Sequence, residues 1–308
     1  MSKYNPSITS FGRHETFGLR YAWLPKGCQA VSQTGDIKVF HRDDATVTLG
    51  VGKNMVASIR YWIVACGLLD GTTGLETELG KNLLDPDTGF DPYLEDEGSL
   101  WLIHWLLASN PNRATSFFWF FNKFHKTDFT QDELLSALRD WVRDNVSAKV
   151  AISTLKSDAS LLPRMYSNAR AIGRLSLEDA LDNPLAELGL LTSSASGRAY
   201  QSRLAARSNL PVEILGFAVF SVMKARAVKI LPVEELMYGR DNYCAPGAVF
   251  RLTESDLIAK LETLVSTFEG ALEIRDSAGI NQLYLEAEPD PMYWLRQYYN
   301  TNGLESAA

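Results

Sequence analysis

From Lys53 the apolar positions fall into a helical period: Met55, Ile59, Trp62 and Cys66 form one stripe, which Val56 and Ile63 widen before Gly67 offers a stop. Ahead of it, residues 1–48 read as loops and short strands. Asp36-Ile37-Lys38-Val39-Phe40 alternates, Ala45-Thr46-Val47-Thr48-Leu49 is β-branched, and the polar turn His41-Arg42-Asp43-Asp44 separates them. Glu78–Leu84 predicts a short helix, Asp85-Pro86-Asp87-Thr88-Gly89 a turn and Ser99–Leu107 a buried helix. The aromatic run Thr115–Phe124 belongs in a core. Thr130 with Glu133 three residues on is a capping-box pattern for a helix to about Asn145, and another helix covers Val150–Tyr166.

Beyond Tyr166 the pattern weakens. Pro184–Leu190 reads as a short helix entering a strand, and Thr192–Arg198 as a turn or small hairpin. Pro211 then opens an apolar helix over Val212–Met223. Pro232–Met237 is a short helix, Val249–Leu252 a strand, and Thr253 caps a helix over Glu254–Phe268. Leu272–Arg275 and Gln282–Leu285, joined by a turn at Asp276–Gly279, form a hairpin. Helices followed by a two-stranded hairpin make a winged-helix pattern. The expected fold is mainly α, in the α+β class, with small β-hairpins and winged-helix-like modules. Three domains are expected: 1–110 with a metal/DNA site and a helix-turn-helix-like part, a helical middle region 111–210, and a winged-helix-like 211–308.

Charge changes this picture only locally. The chain carries a formal net charge of −7, yet residues 76–97 hold eight carboxylates against Lys81 and account for that total. Residues 1–60 are net +4 and residues 203–240 net +3, so basic patches able to steer DNA survive a negative total. Three scattered cysteines, Cys28, Cys66 and Cys244, argue against a disulfide framework or a cysteine zinc site and fit a reducing compartment. No apolar run reaches the length needed to span a bilayer, and Met1–Pro6 leads into no signal segment, so the expectation is a soluble, cytoplasmic protein without a membrane partner.

The candidate chemistry gathers in two blocks, Phe11–Arg20 and Leu49–Trp62. Gly50-Val51-Gly52-Lys53-Asn54 lacks the spacing and the Ser/Thr of a Walker loop, so ATP binding by that route is excluded. Lys53 and Asn54 still open a helix whose free N–H groups favour a phosphate. His14-Glu15 is no zincin motif, because position 18 is glycine. Glu15, Asp43 and Asp44 supply hard oxygen ligands, and Asp36-Ile37-Lys38 matches the Asp-x-Lys half of a nuclease pattern. The metal candidates are therefore Glu15, Asp36, Asp43 and Asp44, and the catalytic candidates His14, Glu15, Asp43 and Asp44. Arg13, Arg20, Lys53, Asn54 and Arg60 are the DNA-binding candidates. A structural histidine and solvated charges are the competing interpretation of the same residues.

Both blocks, together with Pro184-Leu185-x-Glu187-Leu188-Gly189-Leu190 and Ala278-Gly279-Ile280-x-Gln282-Leu283-Tyr284, resemble the uncharacterised-domain family that includes SspB, over nearly the whole chain. That family is associated with single-strand phosphorothioation of bacterial DNA and with phage defence. Where its opening block often has glycine, this chain has Arg13. The resemblance implies a Mg²⁺-dependent DNA nicking endonuclease, with Mn²⁺ as a substitute. The partners it implies are double-stranded DNA and other proteins of the sulfur-modification system, with a homodimer as one assembly. The alternative is a non-enzymatic winged-helix DNA-binding scaffold or regulator of the modification complex.

Overall fold

The computed structural model describes residues 3–167, 182–194, 197–268, 272–277 and 280–305, the side chains of 302–305 excepted. The chain folds into two compact units. One takes Asn5–Trp119 and Lys126–Arg203; the other takes Met1–Tyr4, Phe120–His125 and Leu204–Ala308. The architecture is mainly α-helical, with two small three-stranded sheets.

The first unit begins with a three-helix group. α1 (Trp23–Thr34), α2 (Ala45–Leu49) and α3 (Lys53–Ala65) pack on one another. Trp23, Leu24, Cys28 and Val31 give α1 its buried face, and α3 buries Ile59 and Trp62 of the expected stripe together with Val56 and Ile63, while Met55 is half-buried and buried Cys66 lies just past the helix end. A three-residue turn, Gly50-Val51-Gly52, joins α2 to α3 in helix-turn-helix fashion. The acidic segment that follows supplies caps and turns. Thr77 caps α4 (Glu78–Leu84), the Asp85 carboxylate accepts from the N–H groups of Asp87 and Thr88, and Asp96 caps α5 (Glu97–Ala108). The aromatic helix α6 (Thr115–Asn122) is core, with Phe117 edge-on to Trp62 at 5.7 Å. Thr130 and Glu133 form a complete capping box at the start of α7 (Gln131–Asn145), which packs on α8 (Ile152–Tyr166). β1 (Asp128–Thr130), β2 (Thr192–Ser193) and β3 (Ala199–Gln201) make an antiparallel sheet in the order β1-β3-β2, so the small hairpin is present.

The second unit runs α9 (Val212–Arg226), β4 (Ile230–Pro232), α10 (Val233–Tyr238), α11 (Pro246–Val249), α12 (Glu254–Thr267), β5 (Leu272–Ser277), β6 (Ile280–Leu285) and α13 (Pro291–Glu305). Its sheet order is β4-β6-β5, all antiparallel, with Ile274 opposite Leu283 in the hairpin. This is a winged-helix arrangement, helix–strand–helices–hairpin, with α12 in the position of the second helix of a helix-turn-helix. Trp294 of α13 is fully buried between Phe220 and Phe268, whose rings lie 5.6 and 5.5 Å away. Arg251, also buried, donates to the carbonyls of Phe120 and Phe124 and so ties that short segment into the unit. Burial pulls its guanidinium down to about 10.

Four local expectations are corrected. Trp23–Thr34, expected within a stretch of loops and short strands, forms the helix α1, whose period Pro25 and Gly27 interrupt in the sequence. Ile37–His41 is a 3-10 turn and not a strand, because the Asp36 carboxylate accepts the Lys38 N–H and closes the backbone. Ala45–Leu49 is helical, ended by Gly50 in the left-handed region with its N–H on the carbonyls of Thr46 and Val47. The predicted strand Val249–Leu252 is the end of a helical turn, followed by Arg251 at φ 53°, and only Leu252 bridges to Ala205. Ala195, Ser196, Ala278 and Gly279, within the expected turns and the last family-like block, lie outside the described residues.

Candidate nucleic-acid interface

The Gly12–Gly18 stretch lies along one face of α8. A side chain at Gly12 would strike Thr154, and one at Gly18 would press on Met165 and Leu161. Asp158 lies between these contacts. Thr154, Asp158, Leu161 and Met165 follow the 4-3-4 spacing of a single helical stripe. From the other side, Ser58 and the Trp62 indole of α3 donate to the Phe17 carbonyl. The first conspicuous block of the sequence is thus clamped between α3 and α8.

At the centre of the clamp is a buried polar node that sequence reasoning missed. His14 Nε2 and Asp158 Oδ1 are 2.7 Å apart, with both side chains about 1% exposed. The Gly12 N–H donates to the same carboxylate oxygen and Ser116 Oγ–H to the other. The Thr16 N–H donates to His14 Nδ1, which leaves the proton of the neutral ring on Nε2, facing Asp158. The imidazole stacks on Trp62 and meets the edge of Tyr61. Burial, and next the charge of Asp158, hold the Tyr61 phenol well above its ordinary value, so it stays neutral. One signal could have exposed this node: Asp158 interrupts an apolar stripe of Leu155, Ala159, Leu161 and Leu162, where an unpaired carboxylate would be too costly.

The other candidates separate into engaged and uncommitted groups. Arg20 stacks over Trp23 and lies 3.8 Å from Asp182. Its neighbour Tyr21 is raised by burial and then by its hydrogen bond to Glu187, so the first block meets the Pro184–Leu190 block. Asp36 is occupied with the Lys38 N–H, and its second oxygen lies 3.8 Å from Lys38 Nζ. By contrast Arg13, Glu15, Asp43, Asp44, Lys53 and Asn54 are all exposed, and none has a side-chain hydrogen bond or ion pair among the described residues. Lys53 and Asn54 occupy the first positions of α3, whose start has no side-chain cap. Arg60, two turns on and facing the same way, is part-exposed with Nε buried and unbonded. Asp43 and Asp44 are neighbours just before α2, whereas Glu15 belongs to the clamped turn. Among the described residues no three of His, Cys, Asp and Glu come together as a metal-binding group.

Residues 11–299 match the family described as "Protein of unknown function (DUF4007)". The chain belongs to the DUF4007 family. No curated protein matches this DUF4007 chain. Two solved structures do, an SspB crystal structure and a magnesium ion-bound SspB crystal structure. Each is 29% identical and matches 97% of this chain and 89% of its own, with a TM-score of 0.83. Among the described residues no helix is long and apolar enough to cross a membrane.

Proposed function

We propose that this DUF4007 protein acts on double-stranded DNA in a phosphorothioation and anti-phage system, and that it nicks one strand in the presence of Mg²⁺. The observation that carries the proposal is the set of polar side chains without a partner among the described residues, Arg13, Glu15, Lys53, Asn54 and Arg60 on the two N-terminal blocks and Asp43 and Asp44 between them in sequence. Polar groups without a side-chain partner among the described residues are available to a ligand. The likeness to SspB, including its magnesium-bound form, gives that ligand a class.

In this reading Lys53, Asn54 and the free N–H groups opening α3 hold phosphate, and Arg13 and Arg60 extend the contact. Arg20 supports Trp23 and the turn from the side. The described side chains do not form a closed metal cage. They do fit the looser demand of a hydrated Mg²⁺, one or two free carboxylates plus phosphate oxygens. The adjacent Asp43 and Asp44 are the residues that would hold it, and Glu15, on the clamped turn, is the alternative single carboxylate; Asp36, already occupied, is the weakest of the four. Bound there, Mg²⁺ supplies neutralisation of phosphate charge and a more acidic water.

The protein is therefore expected to convert supercoiled plasmid to open circles with Mg²⁺ or Mn²⁺, and EDTA should stop it. Glu15→Ala should weaken the metal response while leaving the far-UV CD spectrum unchanged. Plasmid left supercoiled across several divalent metals, DNA sequences and added modification proteins would reject nicking. That outcome would favour the scaffold reading, for which the lack of a three-ligand metal group among the described residues speaks.

A further inference from the structure

The turn Gly12–Thr16 is held in a conformation that its sequence does not favour. Gly12 lies at φ 68°, and two non-glycine residues follow in the left-handed region, Glu15 at φ 50° and Thr16 at φ 67°. A β-branched residue there is an outlier, and such geometry persists only where the surroundings over-determine it. Here Asp158 is the hub of the restraints, joined by the Phe17 N–H on the His14 carbonyl and by the α3 donors to the Phe17 carbonyl. Asp158 takes the Gly12 N–H and His14 Nε2–H on Oδ1 and the Ser116 hydroxyl on Oδ2. His14 passes the restraint on, since its Nδ1 accepts the Thr16 N–H. On the outer side of the turn, Arg13, Glu15 and Thr16 are exposed and have no side-chain partner among the described residues. A strained turn anchored this heavily from within is not held for the packing of its outer side chains.

We propose that Asp158, acting through His14, is a positioning residue that presents Arg13 and Glu15 to DNA. This rests on the DNA reading above. Both ring nitrogens of His14 are taken up in the anchor, so its part is to transmit position. The role of Asp158 depends on hydrogen bonds and not on its charge. An asparagine can keep them all, its oxygen accepting from Gly12 and His14 and its amide donating to Ser116 Oγ. An alanine keeps none.

The test is duplex DNA binding by fluorescence anisotropy, taken as the slope of log affinity against log salt. Arg13→Ala should reduce the slope by about 1, the value of one phosphate contact. Asp158→Ala should reduce it as much, and Arg13→Ala added to Asp158→Ala should reduce it no further, because contacts that depend on one another are not additive. Asp158→Asn should retain the wild-type slope. Should Asp158→Ala fail to fold by CD, His14→Phe takes its place, since it keeps a ring against Tyr61 and Trp62 and loses only the hydrogen bonds. A folded Asp158→Ala or His14→Phe protein in which Arg13→Ala still removes a full contact would overturn the proposal. So would Asp158→Asn behaving like Asp158→Ala. Trypsin cleavage after Arg13 separates this claim from the DNA reading. It should be slow in wild type and Asp158→Asn and fast in Asp158→Ala or His14→Phe whether or not DNA binds, and equal rates would sink the anchor itself.

Discussion

Two regions of the molecule carry marks of a DNA-binding protein, and they carry different ones. The second unit has the shape: a winged helix with α12 where a recognition helix would lie and β5–β6 as the wing. Yet α12 exposes Glu254 and Glu262, and its lone lysine, Lys260, is buried with its ammonium on the Leu210 carbonyl. Several cations of this unit are committed, although exposed Lys224 has no side-chain partner among the described residues. Arg226 and Arg240 share Glu235, Lys229 pairs with Glu288, and the wing's Arg275 is held by Glu273 and stacks on Tyr284. The first unit has a smaller helix-turn-helix, α2 and α3, but its second helix opens with Lys53 and Asn54, which have no side-chain partner among the described residues, and carries Arg60 on the same side. Affinity for DNA comes mainly from neutralised phosphates, so on the DNA reading proposed above the winged helix, most of whose cations are committed, is the poorer surface of the two. Fold shape alone does not assign function; the bonding state of the side chains does.

Substitutions can break this comparison or sharpen it. The largest effect is expected at Trp294→Ala, which empties the core of the second unit and should cost about 3–5 kcal/mol in urea denaturation. If DNA contact belongs to the first unit, the salt slope of binding should survive it; a slope that vanished with the second unit would move the contact there. Thr130→Ala removes half of the α7 capping box in the first unit and should cost about 1 kcal/mol. It should not alter DNA affinity, which separates stability from contact within that unit. The same box gives a pH signature. Lys126 first, then the Thr130 backbone, hold Glu133 down to about 2, below its unfolded value. Its stabilisation is therefore complete above the ordinary carboxylate range and fades as pH falls from there toward about 2. Acid titration of wild type against Glu133→Gln, which cannot ionise, should show the two converging across that window. Lys53→Ala should lower the salt slope by about 1, on matched and unmatched sequences alike. The smallest effect is expected at Glu254→Gln and Glu262→Gln, whose DNA affinity should match wild type; a clear gain in either would place α12 beside phosphate.

How far the sequence reveals this design depends on how local the cause is. The cap of α12 by Thr253, the capping box of α7 and the α3 stripe follow from residues within a few positions, and all are present. Asp36–Phe40 and Ala45–Leu49 misled because alternation and β-branching are weak signals over five residues, and one aspartate or one glycine can override them. The helix Trp23–Thr34 was hidden by Pro25 and Gly27, which interrupt the period. His14 stands out in the sequence, but its partner Asp158 lies 144 positions away, and only the fold brings them together. That Arg13, Lys53 and Asn54 have no side-chain partner among the described residues was out of reach for the same reason, because commitment depends on neighbours distant in the chain.

The most direct measurement is a paired salt titration of duplex DNA binding between about 50 and 200 mM salt. It compares wild type with Arg13→Ala/Lys53→Ala in the first unit and with Glu254→Lys/Glu262→Lys on α12. If the N-terminal blocks hold the phosphates, the first variant loses about 2 from the slope and the second leaves it unchanged. An unchanged slope in the first variant, with a steeper slope in the second, would contradict the assignment and hand the DNA to the winged helix.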